Sequence, residues 1–238
     1  MEFGKDTCAD PSIIVAIDRP DADSALALVR SLDSSLCRLK VGKELFTAAG
    51  PGLVEQIQSL GFEIFLDLKF HDIPATVAGA LRSAANLGVW MENDHASGGR
   101  RMLEASVESM QGLSSPPKLI AVTVLTSMSV EEFREVAPIE SLEQHVGHLA
   151  SMTRECGLDG VVCSAQEASR LRAGCGDDFL LVTPGIRPAG VASNDQTRIV
   201  TPTRARELGA DYLVIGRPIT QSEDPRAVLE SISESLAG

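Results

Sequence analysis

Short runs of β-branched or apolar residues alternate along the chain with longer amphipathic stretches, and this alternation restricts the possible folds more than any other feature. The apolar runs predict eight strands, at Ser12–Ile17, Cys37–Val41, Glu63–Leu68, Val89–His95, Lys118–Val124, Gly160–Cys163, Leu180–Thr183 and Tyr212–Ile215. The stretches that follow them predict helices, at Ala22–Leu32, Leu53–Leu60, Ala75–Leu87, Arg100–Met110, Leu142–Cys156, Ala165–Ala173, Thr203–Leu208 and Asp224–Leu236. Strands that alternate with helices pair in parallel.

Eight strand–helix units of roughly 30 residues each are typical of a closed (β/α)₈ barrel, the TIM-barrel form of the α/β class. An open, doubly wound sheet is the alternative, but no GxGxxG motif follows the first strand. A chain of 238 residues can form one such domain, and no linker divides it. We therefore predict a single barrel domain over residues 1–238, with 1–11 as a flexible N-terminal extension.

The charge balance argues against nucleic acid as a partner. The chain has 21 Lys+Arg and 33 Asp+Glu, a net charge of −12, whereas binding to phosphate backbones needs clustered basic residues. No apolar run approaches the roughly 20 residues of a membrane span, and the polar start lacks the apolar core of a signal peptide. The five scattered cysteines form no CxxC motif and fit reduced thiols. These features predict a cytoplasmic protein without membrane or nucleic-acid partners.

Charged residues are concentrated at the ends of the predicted strands and just beyond them, where barrel enzymes place their active sites. Taken singly, each would most simply be a surface ion pair, since such pairs are common and weak. Their grouping at one rim indicates a site instead. The residues are Asp18, Lys40, Asp67, Lys69, Asp72, Arg187 and Arg217.

The densest charge cluster is the run FLDLKFHDIP, residues 65–74. Residues two apart on a strand share a face, so Asp67 and Lys69 are predicted to point the same way. Acids on both sides of Lys69, with Asp72 as the second, stabilise its ammonium form. An ammonium suits proton donation to a developing carbanion better than imine formation, which needs a neutral amine. The carboxylates would also repel an anionic group of a substrate, so that loss of this group relieves strain.

Two glycine–arginine loops predict a phosphate site. They are TPGIRP (183–188) after the seventh strand and VIGRP (214–218) in and after the eighth, the positions where such barrels usually bind phosphate. Glycine lets backbone N–H groups approach an anion, and arginine adds charge-assisted hydrogen bonds. The long irregular stretch 184–197 is also typical of a functional loop.

The motifs together resemble those of bacterial orotidine 5′-phosphate decarboxylases. FLDLKFHDIP is accompanied by LKVGK, VTVLTSM, DGVVCSAQEA, LVTPGIRP, DQ and DYLVIGRPITQS, from about Ile13 to the C-terminal helix. The resemblance implies a homodimeric (β/α)₈ barrel that converts orotidine 5′-phosphate to UMP and carbon dioxide in de novo pyrimidine synthesis. It also implies that neither a metal nor an organic cofactor takes part.

For catalysis, the resemblance implies that Lys69 donates a proton to C6 of the pyrimidine and that Asp67 faces the departing carboxylate. Lys40, Asp67, Lys69 and Asp72 would form a chain of alternating charge. Asp72 and Thr76 would extend into the site of the partner subunit.

For substrate binding, the resemblance implies that Asp18 and Lys40 hold the ribose and that Thr126 bonds near the base. A lid, Pro184–Gln196, would close over the bound substrate. The phosphate would be bound by Arg187, Gln196, Gly216 and Arg217.

The chain departs from the family pattern at Glu92 and Asp94, where the family has apolar residues, usually valine. These two acids share one strand face, opposite Asn93 and His95, and the family pattern predicts that they lie between strands and helices. Burying them there costs several kcal/mol unless they are paired or protonated. A new metal or proton site that includes a nearby histidine is the alternative explanation.

Three other functions stay open on the residues alone. The first is a Schiff-base lyase that acts on a phosphosugar through Lys69, although the flanking acids argue against it. The second is a metal-dependent barrel acting on a keto-sugar phosphate, for which no clear ligand set is evident. The third is a barrel that binds nucleotide but has impaired turnover because of Glu92 and Asp94.

Overall fold

Eight parallel strands close into a barrel in the computed structural model, which describes residues 10–188 and 200–237. Each strand pairs with the next along the chain, and the eighth pairs with the first. The predicted (β/α)₈ architecture is therefore confirmed. The strands are β1 (Ile13–Ala16), β2 (Cys37–Gly42), β3 (Ile64–Phe70), β4 (Met91–His95), β5 (Lys118–Val122), β6 (Gly160–Val162), β7 (Leu180–Thr183) and β8 (Tyr212–Ile215).

Eleven α-helices accompany the strands within the described residues. None of them combines the length and the hydropathy that a bilayer-spanning segment needs. A single 3-10 turn, Ala96–Gly98, follows β4. The helices are α1 (Ala22–Val29), α2 (Lys43–Ala49), α3 (Pro51–Ser59), α4 (Pro74–Ala85), α5 (Arg100–Ser109), α6 (Val130–Val136), α7 (Leu142–Glu155), α8 (Ala165–Cys175), α9 (Pro202–Glu207), α10 (Arg217–Thr220) and α11 (Pro225–Ala237).

Three of these helices, α2, α6 and α10, are absent from the sequence prediction. They have only seven, seven and four residues, too few for a clear amphipathic period. One signal for α6 was present in the sequence. Ser129 and Glu132 form a reciprocal capping box at its start, as Ser164 and Glu167 do for α8.

The strands separate two apolar layers. Side chains facing the barrel interior form one layer, with Phe65 and Met91 almost wholly buried in it. Side chains on the opposite strand faces pack against the helices in two larger clusters. Most strand positions are therefore apolar on both faces, which explains the continuous apolar runs in the sequence.

Arg38 closes the end of the barrel at which the strands begin. Its guanidinium lies 4.0 Å from the centre of the Trp90 ring and pairs with Glu63 at 2.7 Å. It also donates to the carbonyl oxygen of Pro11 at 2.6 Å. Stacking and pairing let this arginine stay 5% exposed without leaving its charge uncompensated. The opposite end, where the strands finish, stays open.

Glu92 and Asp94 lie in the layer between strands and helices, on the side predicted from the sequence. Both are 0% exposed, and no partner within the described chain forms a hydrogen bond with any of their four carboxyl oxygens. Glu92 pairs in register with Leu66 and Leu119, which belong to the outer apolar clusters. The residues that the structure describes contain no group of three potential metal ligands.

Burial raises the pKa of both carboxyl groups. The pKa of Glu92 rises to about 9, because of burial first and the neighbouring Asp94 charge second. Burial raises the pKa of Asp94 to about 7, although the Ser106 hydroxyl partly offsets the rise. Glu92 is therefore protonated at neutral pH, while an unfolded chain would ionise both groups.

Replacing both acids with valine is expected to stabilise the protein. Each buried carboxyl without a hydrogen bond costs about 1–3 kcal/mol, so Glu92→Val plus Asp94→Val should raise the melting temperature by at least about 5 °C. The measurement is thermal unfolding followed by circular dichroism. As a control, Glu55→Gln plus Glu108→Gln removes two exposed acids and should change the melting temperature by no more than about 2 °C. A lower melting temperature for the valine variant would contradict this explanation.

The stability that the double valine variant gains over the unmodified protein should also increase with pH. A raised pKa in the folded state means that stability is complete below the unfolded pKa and is lost as the pH rises toward the folded pKa. The loss should extend from about pH 4 to about pH 7 for Asp94 and to about pH 9 for Glu92, at up to about 1.4 kcal/mol per pH unit for each group within its own window. Urea unfolding of both proteins across this range is the measurement, and a pH-independent difference between them would refute the linkage.

Candidate active site

A cavity of about 270 Å³ opens at the end of the barrel where the strands finish. It collects side chains and backbone from the ends of β1, β2, β3, β7 and β8 and from the loop after β5. Apolar side chains such as Phe65 and Val122 form its floor. Eight of the residues predicted for the site line it: Asp18, Lys40, Asp67, Lys69, Thr126, Arg187, Gly216 and Arg217.

Asp67 is the centre of a charged network in this cavity. Its Oδ1 accepts hydrogen bonds from Lys69 Nζ at 2.6 Å and from Asn93 Nδ2 at 2.7 Å. Its Oδ2 lies 3.2 Å from Lys40 Nζ, and Lys40 in turn lies 3.8 Å from Asp18. Two lysines from adjacent strands therefore flank one carboxylate, and the charges alternate from Lys40 through Asp67 to Lys69.

Asp67 is ionised although it is only 7% exposed. Burial acts to raise its pKa, but the charges of Lys40 and Lys69 and the hydrogen bonds from Lys69 and Asn93 hold that pKa at about 2. A fixed negative charge therefore stands beside the Lys69 ammonium in a largely desolvated place, where electrostatic effects are stronger than in water.

Lys69 reaches Asp67 through a distorted strand. The register of β3 and β4 runs from Leu66 opposite Glu92 to Phe70 opposite Asp94, so four residues of β3 span the length of two in β4. Lys69 has φ of 50°, the one left-handed non-glycine residue among the described ones. The two side chains do meet, as predicted, but regular strand alternation does not bring them together.

Asn93 belongs to this network, and the sequence prediction did not assign it a role. It is 0% exposed and contacts both Asp67 and the backbone of Lys69. The available signal was the pattern in β4, where Asn93 and His95 share the face predicted to look into the barrel. Burial and the neighbouring charges of His71, Lys43 and Lys69 lower the pKa of His95 to about 4, so its ring is neutral.

Two arginines stand together on the other side of the cavity. Arg187, from the segment after β7, is 6% exposed, and its Nε has no hydrogen-bond partner in the described chain. Burial and the nearby charge of Arg217 lower its pKa. Neighbouring like charges are unfavourable alone, so a bound anion would stabilise the pair.

Asp72 and Thr76 lie outside the cavity in this single chain. Both are exposed, Asp72 on the loop after β3 and Thr76 in the first turn of α4. The Asp72 carboxylate accepts a hydrogen bond from the Ile73 N–H at 2.6 Å and takes part in no ion pair within the described residues. The charge arrangement therefore ends at Lys69 within one chain. Gln196 and most of the predicted lid lie outside the described residues.

Residues 11–232 match the Orotidine 5′-phosphate decarboxylase / HUMPS family. The chain belongs to this family. Its membership confirms the resemblance inferred from the sequence motifs, which extended over nearly the same residues.

Similar proteins support the same family. Orotidine 5′-phosphate decarboxylase of Nitrosospira multiformis is 60% identical over 230 residues, covering 95% of this chain and 94% of that protein. The enzyme of the same name from Chromobacterium violaceum is 57% identical over 225 residues, covering 94% and 91%. The crystal structure of orotidine 5′-phosphate decarboxylase from Lactobacillus acidophilus superimposes with a TM-score of 0.84 at 38% identity, covering 96% of this chain and all of that one.

Proposed function

We propose that this protein decarboxylates orotidine 5′-phosphate to UMP in de novo pyrimidine synthesis, with Lys69 as the proton donor to C6 and Asp67 facing the departing carboxylate. The observation that carries the proposal is the pairing of a buried, ionised Asp67 with the Lys69 ammonium at 2.6 Å. The two opposite charges line the cavity of about 270 Å³ at the open end of the barrel.

The charges support a direct order of events. A substrate carboxylate placed beside Asp67 is repelled, and this repulsion disappears once carbon dioxide has left. The bond from C6 to the carboxylate breaks and its electron pair stays on C6. The Lys69 ammonium stabilises that pair and then transfers a proton from Nζ to C6. Neutral Lys69 regains its proton from solvent after UMP is formed.

The rest of the cavity would bind the substrate without taking part in bond breaking. Arg187 and Arg217, with the Gly216 backbone and Gln196, would hold the phosphate. Binding energy from that remote group can then contribute to the chemical step. Asp18 and Lys40 would hold the ribose, and Thr126 would bond near the base. The proposed steps use no metal and no organic cofactor, so EDTA should leave the rate unchanged.

The competing functions make different demands on Lys69. An imine-forming lyase needs a neutral amine, whereas Lys69 pairs with a carboxylate whose pKa is about 2. Trapping of the substrate by borohydride would favour the lyase. A barrel with impaired turnover would bind UMP without decarboxylating the substrate, and Glu92 and Asp94, which flank Asn93 in β4, are the reason to test for it.

Lys69→Ala should lower kcat/KM by at least about a thousandfold, because positioned proton donors contribute up to about 10⁴ in rate. The assay follows the loss of orotate absorbance after orotidine 5′-phosphate is added. Lys118→Ala is the matched control, since Lys118 begins β5 at the opposite end of the barrel, and it should keep the unmodified rate. Equal activity of Lys69→Ala and the unmodified chain would remove Lys69 from the mechanism.

We propose further that the protein works as a homodimer in which Asp72 and Thr76 complete the partner's site. Both residues are exposed beside Ile73, an apolar side chain that is 66% exposed in the single chain. A partner surface that covers Ile73 would bring Asp72 into a second cavity and extend the charge arrangement beyond Lys69. In a twofold dimer the contact would occur twice.

Mixing two inactive variants tests this arrangement. Lys69→Ala lacks its own proton donor, and Asp72→Ala would deprive the partner of a carboxylate. After the subunits exchange, half of the dimers should be mixed, and each mixed dimer should have one intact site. Activity should then rise to about one quarter of the unmodified level. Lack of recovery, with mixed dimers shown by tagged subunits, would mean that Asp72 serves its own chain.

We propose that the protein works in the cytoplasm and binds neither nucleic acid nor membranes. The four cysteines in the described residues, Cys37, Cys156, Cys163 and Cys175, are buried and stand outside any disulfide, which suits a reducing compartment. The net charge of −12 opposes binding to polyanions.

A further inference from the structure

Asn93 connects the two residues to which the proposed mechanism assigns the chemistry. Its Oδ1 accepts a hydrogen bond from the backbone N–H of Lys69 at 2.8 Å. Its Nδ2 donates to Asp67 Oδ1 at 2.7 Å, the same oxygen that accepts from Lys69 Nζ. The side chain lies in the middle of β4, is 0% exposed and does not line the cavity.

Only a side chain with both a donor and an acceptor can make these two contacts. The Lys69 N–H can only donate, so an oxygen must face it. The Asp67 carboxylate can only accept, so an N–H group must face it. An amide satisfies both requirements at once, and the two partners fix which end of the amide points where. A carboxylate lacks the donor, and an apolar residue lacks both groups.

The backbone of Lys69 needs such a partner. Because the β3–β4 register breaks between Leu66 and Phe70, the ladder does not continue regularly through Lys69. A left-handed conformation costs a non-glycine residue about 1–2 kcal/mol. The Asn93 acceptor offsets this cost and satisfies the N–H. Without it, β3 could relax toward regular pairing and move the Lys69 side chain.

We propose that Asn93 is a positioning residue for the decarboxylation: it holds the Lys69 backbone in the left-handed conformation and aligns Asp67, so that Nζ stays directed at the reacting carbon. Asn93 acts through these two residues and does not touch the substrate. The inference rests on the proposed function, because it assumes that Lys69 and Asp67 carry the reaction.

The location of Asn93 predicts which kinetic constant depends on it. Its partners lie on β3, whereas the phosphate-binding arginines follow β7 and β8 on the other side of the cavity. Loss of the amide should therefore misplace the proton donor and leave phosphate binding intact. A misplacement of about 1 Å can lower a rate by about a hundredfold. We expect a decrease in kcat without a comparable increase in KM.

Two variants separate positioning from simple destabilisation. Asn93→Ala removes both contacts and should lower kcat about 10–100-fold, with KM changed by less than about threefold. Asn93→Asp keeps an acceptor for Lys69 but places a second carboxyl against Asp67. Burial and the Asp67 charge favour the neutral form of the introduced group, whereas the Lys69 ammonium on the same Asp67 oxygen favours the ionised form. Neutral His95 adds no charge.

The pH profile of Asn93→Asp is the readout that a purely structural role would not change. The introduced group should ionise as the pH rises from about 5 to about 10, and once ionised it repels Asp67 and should lower kcat as much as alanine does. At about pH 5 it is protonated and can donate to Asp67 as the amide does, so the ratio of its kcat to that of the unmodified chain should rise at least about tenfold. The corresponding ratio for Asn93→Ala should stay constant.

Met91→Ala is the matched control. Met91 is 0% exposed on the same interior face of β4, two residues before Asn93, and lies in the apolar interior layer. Its truncation should lower the melting temperature while kcat and its pH profile stay unchanged.

Lys69→Ala, assayed in parallel, distinguishes failure of this inference from failure of the proposed function. An active Lys69→Ala would overturn the assignment of the proton donor. If Lys69→Ala is inactive, the proposed function stands and three results would overturn the Asn93 inference by itself. These are an unmodified kcat in both Asn93 variants, changes confined to KM, and a pH-independent kcat ratio for Asn93→Asp.

Discussion

The pairing of the buried Asp67 carboxylate with two lysines is the interaction on which the rest of this site depends. An ionised group that is 7% exposed is stable only with close opposite charges and hydrogen bonds. Lys40 comes from β2, Lys69 from β3 and the amide of Asn93 from β4. The barrel must therefore hold the ends of three neighbouring strands in one register, and a shift of any of them would leave a charge without its partner.

Three buried carboxyl groups on adjacent strands show how strongly the surroundings decide ionisation. Asp67, on the interior face, is surrounded by donors and has a pKa of about 2. Glu92 and Asp94, on the helix-facing side of β4, have no lysine or amide partner among the described residues, and burial raises their pKa values to about 9 and about 7. Burial acts in the same direction on all three groups. The presence of lysine and amide partners, and not the depth of burial, keeps Asp67 charged.

The sequence alone was enough to predict the strands, the barrel, the family and the charged residues at the rim, because strand periodicity and motif spacing are local properties. The sequence could not predict the distortion of β3 at Lys69, because a register shift depends on how β3 pairs with β4 and not on the residues of β3 alone. The contacts of Asn93 could not be predicted for the same reason, as its partners lie 24 and 26 residues earlier in the chain. The short helices α2 and α10 and the relation of Asp72 to a second subunit also depend on tertiary or quaternary contacts.

The alternation of side chains in β4 explains how one strand can combine an unfavourable outer face with an ordered inner face. Glu92 and Asp94 point toward the helices, and Asn93 between them points into the barrel, because successive side chains of a strand lie on opposite sides. The energetic cost of the acids thus falls on the packing of β4 against the helix layer. The geometry of Lys69 depends instead on the amide of Asn93 and its two hydrogen bonds to β3. Stability and catalytic geometry are therefore separable in this strand as long as its backbone stays in place.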